Sequence, residues 1–316
     1  MNDQTGPKRW RVIFAGTPSY AVPSLNAVAA LQGVDIVGVL TQKAKPHGRG
    51  LQEQPSPVAQ RAKELGIFTM MPEKVRVPEV QAAIRSLNAD IGIVVAYGKI
   101  LPESLLNDLP HGWVNAHASL LPRWRGASPI QHAILAGDTV TGVSLMQLEP
   151  GMDTGPTFAV ATVPITPSTN SAMLAEVLAA SSAKLLSENL ISYLIGERAL
   201  VPQPAVGITT APKITPADGA ARWVDAASVI ERAVRAFTPW PRVSAQAETL
   251  TFKILTASCA EGSAKPGFVA LHPRGCSVGT GKGLLILETI QPAGKKPMDV
   301  HAFLRGHPEL IGATLA

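Results

Sequence analysis

The apolar positions of the first two-thirds of the chain switch repeatedly between two periods. Short apolar or β-branched runs at residues 11–15, 34–41, 90–96, 113–117 and 142–148 predict strands. Residues 90–96 (Asp-Ile-Gly-Ile-Val-Val-Ala) are apolar without a break, as in a strand covered on both faces, whereas 142–148 alternates cleanly. Between these runs the spacing becomes helical at 20–31, 57–65, 77–87, 129–136 and 171–195. Strands separated by helices imply a doubly wound, mainly parallel α/β sheet of Rossmann-like type. A Pro/Gly/Thr-rich stretch at 201–216 predicts an interdomain linker. After one more amphipathic helix at 226–237, the pattern becomes short strands at 251–256, 267–271, 276–279 and 284–290, split by Gly-rich turns. A helix near 300–304 follows. That reads as a small β-barrel of OB type. The expected organisation is therefore a first domain over 1–200, a linker over 201–216 and a second domain over 217–316.

Composition narrows the class. The chain has 316 residues, 46% hydrophobic and 16% charged, enough to bury a full core. Its apolar runs are too short to span a membrane, and the first residues carry no secretory or transit signal, so a cytoplasmic protein is expected. With two cysteines, Cys259 and Cys276, and no Cys/His cluster, a metal site is not expected. Both thiols are expected to be free and buried. The net charge of +5 is uneven: residues 1–207 hold 16 Lys+Arg against 15 Asp+Glu, and residues 208–316 hold 12 against 8. A basic last third suits a polyanionic partner, and equally suits a mildly basic protein with none. The first βα turn, Ala15-Gly16-Thr17-Pro18-Ser19, resembles a nucleotide-binding loop only loosely, since it lacks G-x-G-x-x-G, which weakens dinucleotide binding; no P-loop is present, so ATP chemistry has no support.

The chemistry concentrates at residues 115–129. If 113–117 ends a strand, Asn115 and His117 share a face. One offers an amide N–H, the other an imidazole that titrates near neutral pH. The carboxyl end of a parallel strand is where open α/β sheets place ligands. Downstream, Glu149-Pro150-Gly151-Met152-Asp153-Thr154-Gly155-Pro156 makes Asp153 a loop carboxylate. Singly, His117 reads as well as a satisfied core histidine and Asp153 as a turn former or helix cap, and spacing alone does not bring the three together. Residues 42–54 form a polar insertion with Lys43, Lys45, His47 and Arg49, read either as a solvated loop or as a basic finger on phosphate.

With these residues in place, the chain resembles the methionyl-tRNA formyltransferases, a family of folate-dependent formyltransferases. The likeness covers nearly the whole chain. It runs through Val12–Pro18, Gln54-Pro55-Ser56-Pro57-Val58, Ala96–Pro102, the 115–129 block and Met152-Asp153-Thr154-Gly155-Pro156. It continues through Ala211-Pro212-Lys213-Ile214, Arg235–Pro241, Gly294–Met298 and Phe303-Leu304-Arg305-Gly306. The resemblance implies transfer of a formyl group from 10-formyltetrahydrofolate to the α-amino group of initiator methionyl-tRNA, without a metal, by a monomer. It makes Asn115, His117 and Asp153 the catalytic set and Ser119, Leu120, Leu121 and Pro122 the lining of the folate site. It puts tRNA contacts at Lys43, Lys45, Arg49, Lys295, Lys296 and Arg305. Within the insertion, Gly48-Arg49-Gly50 is followed by Leu51 and Gln52 where many relatives carry lysines. Three rivals remain on the residues alone: another folate-dependent formyltransferase or 10-formyltetrahydrofolate hydrolase, a non-catalytic RNA-binding protein, and a nicotinamide oxidoreductase, the last weakened by the absent glycine fingerprint.

Overall fold

The computed structural model describes residues 8–43, 45–47, 52–248 and 250–316. The chain divides into two compact units. One takes in the chain up to Pro129, then Val140–Pro164 and Ala175–Ala211; the other comprises Ile130–Thr139, Ile165–Leu174 and Pro212–Ala316.

The strands of the first unit, in chain order, are β1 (Trp10–Gly16), β2 (Val34–Leu40), β3 (Lys45–His47), β4 (Gln52–Gln54), β5 (Thr69–Met70), β6 (Ile91–Val95), β7 (Trp113–His117), β8 (Arg125–Gly126), β9 (Val140–Gln147), β10 (Thr157–Pro164) and β11 (Thr210–Ala211). Seven of them form the main sheet in the order β10-β9-β7-β6-β1-β2-β5. Pairings from β5 through β7 are parallel; β9 is antiparallel to both of its neighbours. Helices Val22–Ala29, Pro57–Glu64 and Pro78–Arg85 occur between the parallel strands, close to where the helical spacing predicts them. Ser56 caps the second of these, accepting from the Ala59 N–H at 3.0 Å.

The centre of the sheet explains its own sequence. β6 is a central strand between β1 and β7, and four of its five residues are buried, alternating between the two faces, which is why its apolar run is continuous. Gly92 stands in register with Trp113. A Cβ at Gly92 would come within 2.0 Å of the indole, so only glycine admits the ring there. Trp113 is fully buried and donates from its indole N–H to the Leu105 carbonyl at 2.8 Å. Ile13, Leu40, Ile84, Tyr97, Leu105 and Leu106 complete this core with it.

At the carboxyl edge, the loops after β1, β2 and β6 are tied together. The Tyr97 carbonyl accepts from the Thr17 hydroxyl at 2.8 Å and from the Gln42 carboxamide at 2.9 Å. Within the polar insertion, β3 and β4 pair antiparallel as a short ladder, where sequence predicts only a loop.

The second unit carries β12 (Val243–Ala247), β13 (Leu250–Ala260), β14 (Val269–His272), β15 (Gly275–Gly279), β16 (Leu284–Pro292) and β17 (Met298–Asp299). They form an antiparallel sheet ordered β12-β13-β16-β15-β14, with β17 added beside β16. Residues 312–316 join its two edges. Val269 of β14 exchanges bonds of 2.9 Å with this segment, and Gln246 of β12 exchanges bonds of 3.3 and 2.8 Å with Ala316. Neither edge is left open, which is how a small barrel removes the hazard of unpaired strand ends. Helix Ala227–Ala236 buries Ala227, Ile230, Val234 and Ala236, the stripe its helical period gives. Cys276 is buried inside this unit and its thiol is pushed up to about 12 by that burial. Cys259 is exposed, contrary to the expectation of two buried thiols, because it lies near the end of the long strand β13.

The 201–216 stretch is not a free tether. Val201 and Thr157 exchange backbone bonds of 2.9 and 2.8 Å, and β11 runs parallel to β8. Residues 201–211 belong to the first unit, and residues 130–139 and 165–174 to the second, so the expected boundaries at 200 and 217 differ from the compact units. Composition misleads here because the stretch is held by backbone pairing, which needs no apolar pattern. Among the described residues no helix is long and apolar enough to cross a membrane.

Candidate active site

His117 ends β7 and is 6% exposed. Its two ring nitrogens face two acceptors. Nε2 lies 2.8 Å from the Trp124 carbonyl oxygen, and Nδ1 lies 3.6 Å from Asp153 Oδ2. A carbonyl oxygen only accepts, so Nε2 carries a proton and donates. In the neutral ring the lone pair is then on Nδ1, on the side of the carboxylate. The 3.6 Å separation is that of an ion pair rather than a hydrogen bond. Nδ1 is therefore the ring nitrogen left with a free lone pair when the ring is neutral.

Asp153 sits in the loop that sequence predicts, with a left-handed φ of 53°. The same oxygen that faces His117, Oδ2, accepts from the Gly126 N–H at 2.8 Å. Gly126 has a φ of 123°, and a Cβ there would lie 2.7 Å from the Ala211 carbonyl oxygen. That close approach is why glycine occupies the position.

Asn115 is half-buried on β7, paired through its backbone to β6 and β9. Strand alternation puts its side chain on the same face as that of His117. Among the described residues, nothing hydrogen-bonds its carboxamide. A partly buried amide with its donors unspent, beside an imidazole that faces a carboxylate at 3.6 Å, is suited to receive a polar group of a substrate.

The 119–122 stretch is partly internal. The buried Ser119 hydroxyl donates to the Arg123 carbonyl at 2.6 Å, and Ser144 bridges the Ser119 carbonyl and the Leu121 N–H at 2.8 and 3.1 Å. Ser119 thus shapes the turn, while Leu120, Leu121 and Pro122 remain half-buried and able to line a cleft.

Of the basic residues, Lys43 is exposed and 3.6 Å from Glu73. Lys45 lies on β3, and Arg49 falls outside the described residues. Lys295 and Lys296 are exposed on the turn between β16 and β17. Arg305 is exposed on helix Val300–Gly306 and borders an open cavity of about 340 Å³ with Leu271, His301, Leu304, Pro308 and Ile311. The structure brings His117 and Asp153 together with Asn115 on the neighbouring position, and keeps Lys295 and Lys296 adjacent.

Sequence reasoning missed the parts that hold this site. Trp124 and Gly126 were inside the 115–129 block, but nothing in the block says that their backbone groups serve His117 and Asp153. Gln203 and Thr209 lay in the supposed linker. Thr209 accepts from the Trp124 N–H at 2.9 Å through its hydroxyl and from the Arg125 N–H at 2.9 Å through its carbonyl. Among the described residues, no group of three or more His, Cys, Asp and Glu side chains is arranged to hold a metal ion.

Residues 8–190 match the formyl transferase family model, and residues 213–308 the model of the formyl transferase C-terminal domain. The chain is 44% identical over 300 residues to the methionyl-tRNA formyltransferase of Myxococcus xanthus (strain DK1622), covering 95% of this chain and 96% of that one. Its fold resembles the N-formyltransferase of Helicobacter canadensis, solved in complex with folinic acid and dTDP-3-aminofucose. There the TM-score is 0.65 at 15% identity, over 90% of this chain and 99% of that one. It also resembles a variant of HypX from Aquifex aeolicus, with a TM-score of 0.61 at 16% identity; the match covers 96% of this chain and 48% of HypX.

Proposed function

We propose a transfer mechanism on one premise: the chain belongs to the methionyl-tRNA formyltransferase family. Its reaction is formylation of the α-amino group of initiator methionyl-tRNA, with 10-formyltetrahydrofolate as donor. The amine attacks the formyl carbon, negative charge gathers on the formyl oxygen, and the folate nitrogen leaves with a proton.

Asn115 supplies the carboxamide N–H that meets this oxygen. Its donors are unspent in the fold, which is what an oxyanion contact needs. His117 handles the proton. With Nε2–H held on the Trp124 carbonyl, Nδ1 takes the proton that the attacking amine loses and passes it towards the leaving nitrogen. Asp153 stabilises the imidazolium while it exists, and the Gly126 N–H keeps the carboxylate oriented. The methionyl amine must attack uncharged; an α-amino group with an ordinary pKa of about 7.7–8.0 is partly neutral near pH 7, so modest proton acceptance suffices. Leu120, Leu121 and Pro122 line the folate side of the cleft. Lys43, Lys45, Arg49, Lys295, Lys296 and Arg305 contact the tRNA backbone, whose phosphates bind cations without regard to base sequence.

The observation that carries this reading is the unspent Asn115 carboxamide on the same strand face as an imidazole that is paired to a carboxylate. An acceptor panel tests it. With 10-formyltetrahydrofolate held constant, charged initiator methionyl-tRNA should be formylated, and free methionine and a nucleotide-linked amino sugar should not. Equal turnover of the amino sugar would assign the site to a different acceptor.

A further inference from the structure

Gln203 ties the turn that carries Asp153 to Arg125. Its carboxamide NH2 donates to the Asp153 carbonyl and the Gly155 carbonyl, both at 2.8 Å. Its own oxygen accepts from Arg125 at 3.0 Å (Nε) and 2.7 Å (Nη2). All the polar atoms of this half-buried side chain are therefore spent, and none of them meets His117 or Asn115. On one side it grips the turn that carries Asp153. On the other it grips the residue between Trp124, whose carbonyl holds His117, and Gly126, whose N–H holds the Asp153 carboxylate.

The segment that bears Gln203 is fixed at both ends. Val201 is paired with Thr157, and β11 is paired with β8. Between them Thr209 takes the N–H groups of Trp124 and Arg125. The Asp153 turn needs such a clamp. Asp153 holds a left-handed backbone that disfavours residues with a side chain, and a Cβ at Gly155 would come within 1.9 Å of the Gln147 carbonyl oxygen.

We infer that Gln203 is a positioning residue for formyl transfer, setting the separation of Asp153 from His117 by clamping the 153–155 turn against Arg125. The inference rests on the role given above to Asp153. At 3.6 Å that pair is already at the limit of an effective ion pair, so a small drift of the turn uncouples it. A misplacement of about 1 Å at a reacting centre lowers rates by about 100-fold.

Four variants test this: Gln203→Leu, which removes all four bonds; Gln203→Glu, which keeps the Arg125 pairing but turns the two donors into acceptors; Asp153→Asn; and Gln203→Leu combined with Asp153→Asn. Single-turnover formylation is measured at saturating substrates, with KM for both substrates and the melting temperature alongside. Gln203→Leu and Gln203→Glu should each slow transfer by about 10- to 100-fold, with both KM values within about threefold of wild type. Gln203→Glu should do so while melting closer to wild type than Gln203→Leu, because its bond to Arg125 survives. In the Asp153→Asn background, Gln203→Leu should change the rate less than about threefold. If Asp153→Asn is slow but both Gln203 variants run within threefold of wild type, Gln203 has no positioning role. Losses that multiply in the double variant place its effect outside Asp153 and overturn the inference as well. An Asp153→Asn enzyme at full speed would instead remove the premise about Asp153.

Discussion

Replacing Asn115 by alanine separates the chemistry of this protein from its folding, because the structure assigns that carboxamide no part in the fold. Asn115 holds its place on β7 through backbone pairing with β6 and β9, and its side chain is half-buried with no hydrogen-bond partner among the described residues. Deleting it leaves no orphaned partner and only a small void. The stability change should stay below about 1 kcal/mol, which for a folding unit of this size moves Tm by no more than about 2–4 °C. The kinetic effect should be far larger. Loss of one donor to a developing oxyanion removes about 2.7–4 kcal/mol of transition-state stabilisation, or about 10²–10³ in kcat. KM for the folate should hardly move, since the charge on the formyl oxygen exists only during transfer. Trp113→Ala on the same strand is the contrasting control: it empties a fully buried site and should cost about 3–5 kcal/mol of stability. The assay is steady-state formylation of methionyl-tRNA beside a thermal melt of each variant. An Asn115→Ala enzyme with kcat within about fivefold of wild type would refute the oxyanion role. A melt as depressed as that of Trp113→Ala would show that the side chain serves the fold after all.

Three further outcomes follow from the same geometry. Gly126→Ala places a methyl 2.7 Å from the Ala211 carbonyl oxygen at a backbone φ of 123°; it should cost about 1–3 kcal/mol in a denaturant titration and also lower kcat, since the N–H that orients Asp153 moves, and wild-type kcat would dissociate that N–H from catalysis. A maleimide added to the native protein should label Cys259 and spare Cys276, whose thiol burial pushes up to about 12; Cys259 should itself react slowly, faster as pH rises, because burial first and the Glu231 carboxylate next raise its thiol, and mass spectrometry showing native labelling of Cys276 would contradict the buried barrel core. KM for methionyl-tRNA should climb with salt, and the slope of its logarithm should shrink when Lys295 and Lys296 are replaced by alanine; a salt-independent KM would remove the electrostatic tRNA contact.

The sequence exposed those parts of the molecule whose order comes from burial. The strand at 113–117 and the helix at 129–136 have the bounds that their patterns predict. The long helix differs by one residue, as Ser171–Leu194 against 171–195. β10 was missed because its burial is mixed, with Val160 about half exposed, and threonines at 157 and 162 interrupt its apolar positions. β8 and β11 are two residues each, too short for any period. Asp153 was legible as a loop carboxylate from the Gly and Pro residues around it, yet its meeting with His117 was not. That contact depends on a left-handed backbone at Asp153, a backbone N–H from Gly126 and the grip of Gln203.

The supports share one property that explains why pattern reading passes over them. Trp124 acts through its carbonyl, Gly126 through its amide, Thr209 through its hydroxyl and carbonyl, and Gln203 through a carboxamide set between Pro202 and Pro204. None of these contributions requires an apolar side chain, so none leaves a periodic trace, and a Pro- and Gly-rich composition was read as freedom where the backbone is in fact paired at both ends. A domain cut drawn by composition at residue 200 would sever Gln203, Thr209 and β11 from the site they brace. The first compact unit ends at Ala211, where the β8–β11 pairing beside Asp153 and His117 also ends, whatever the character of the residues that carry it.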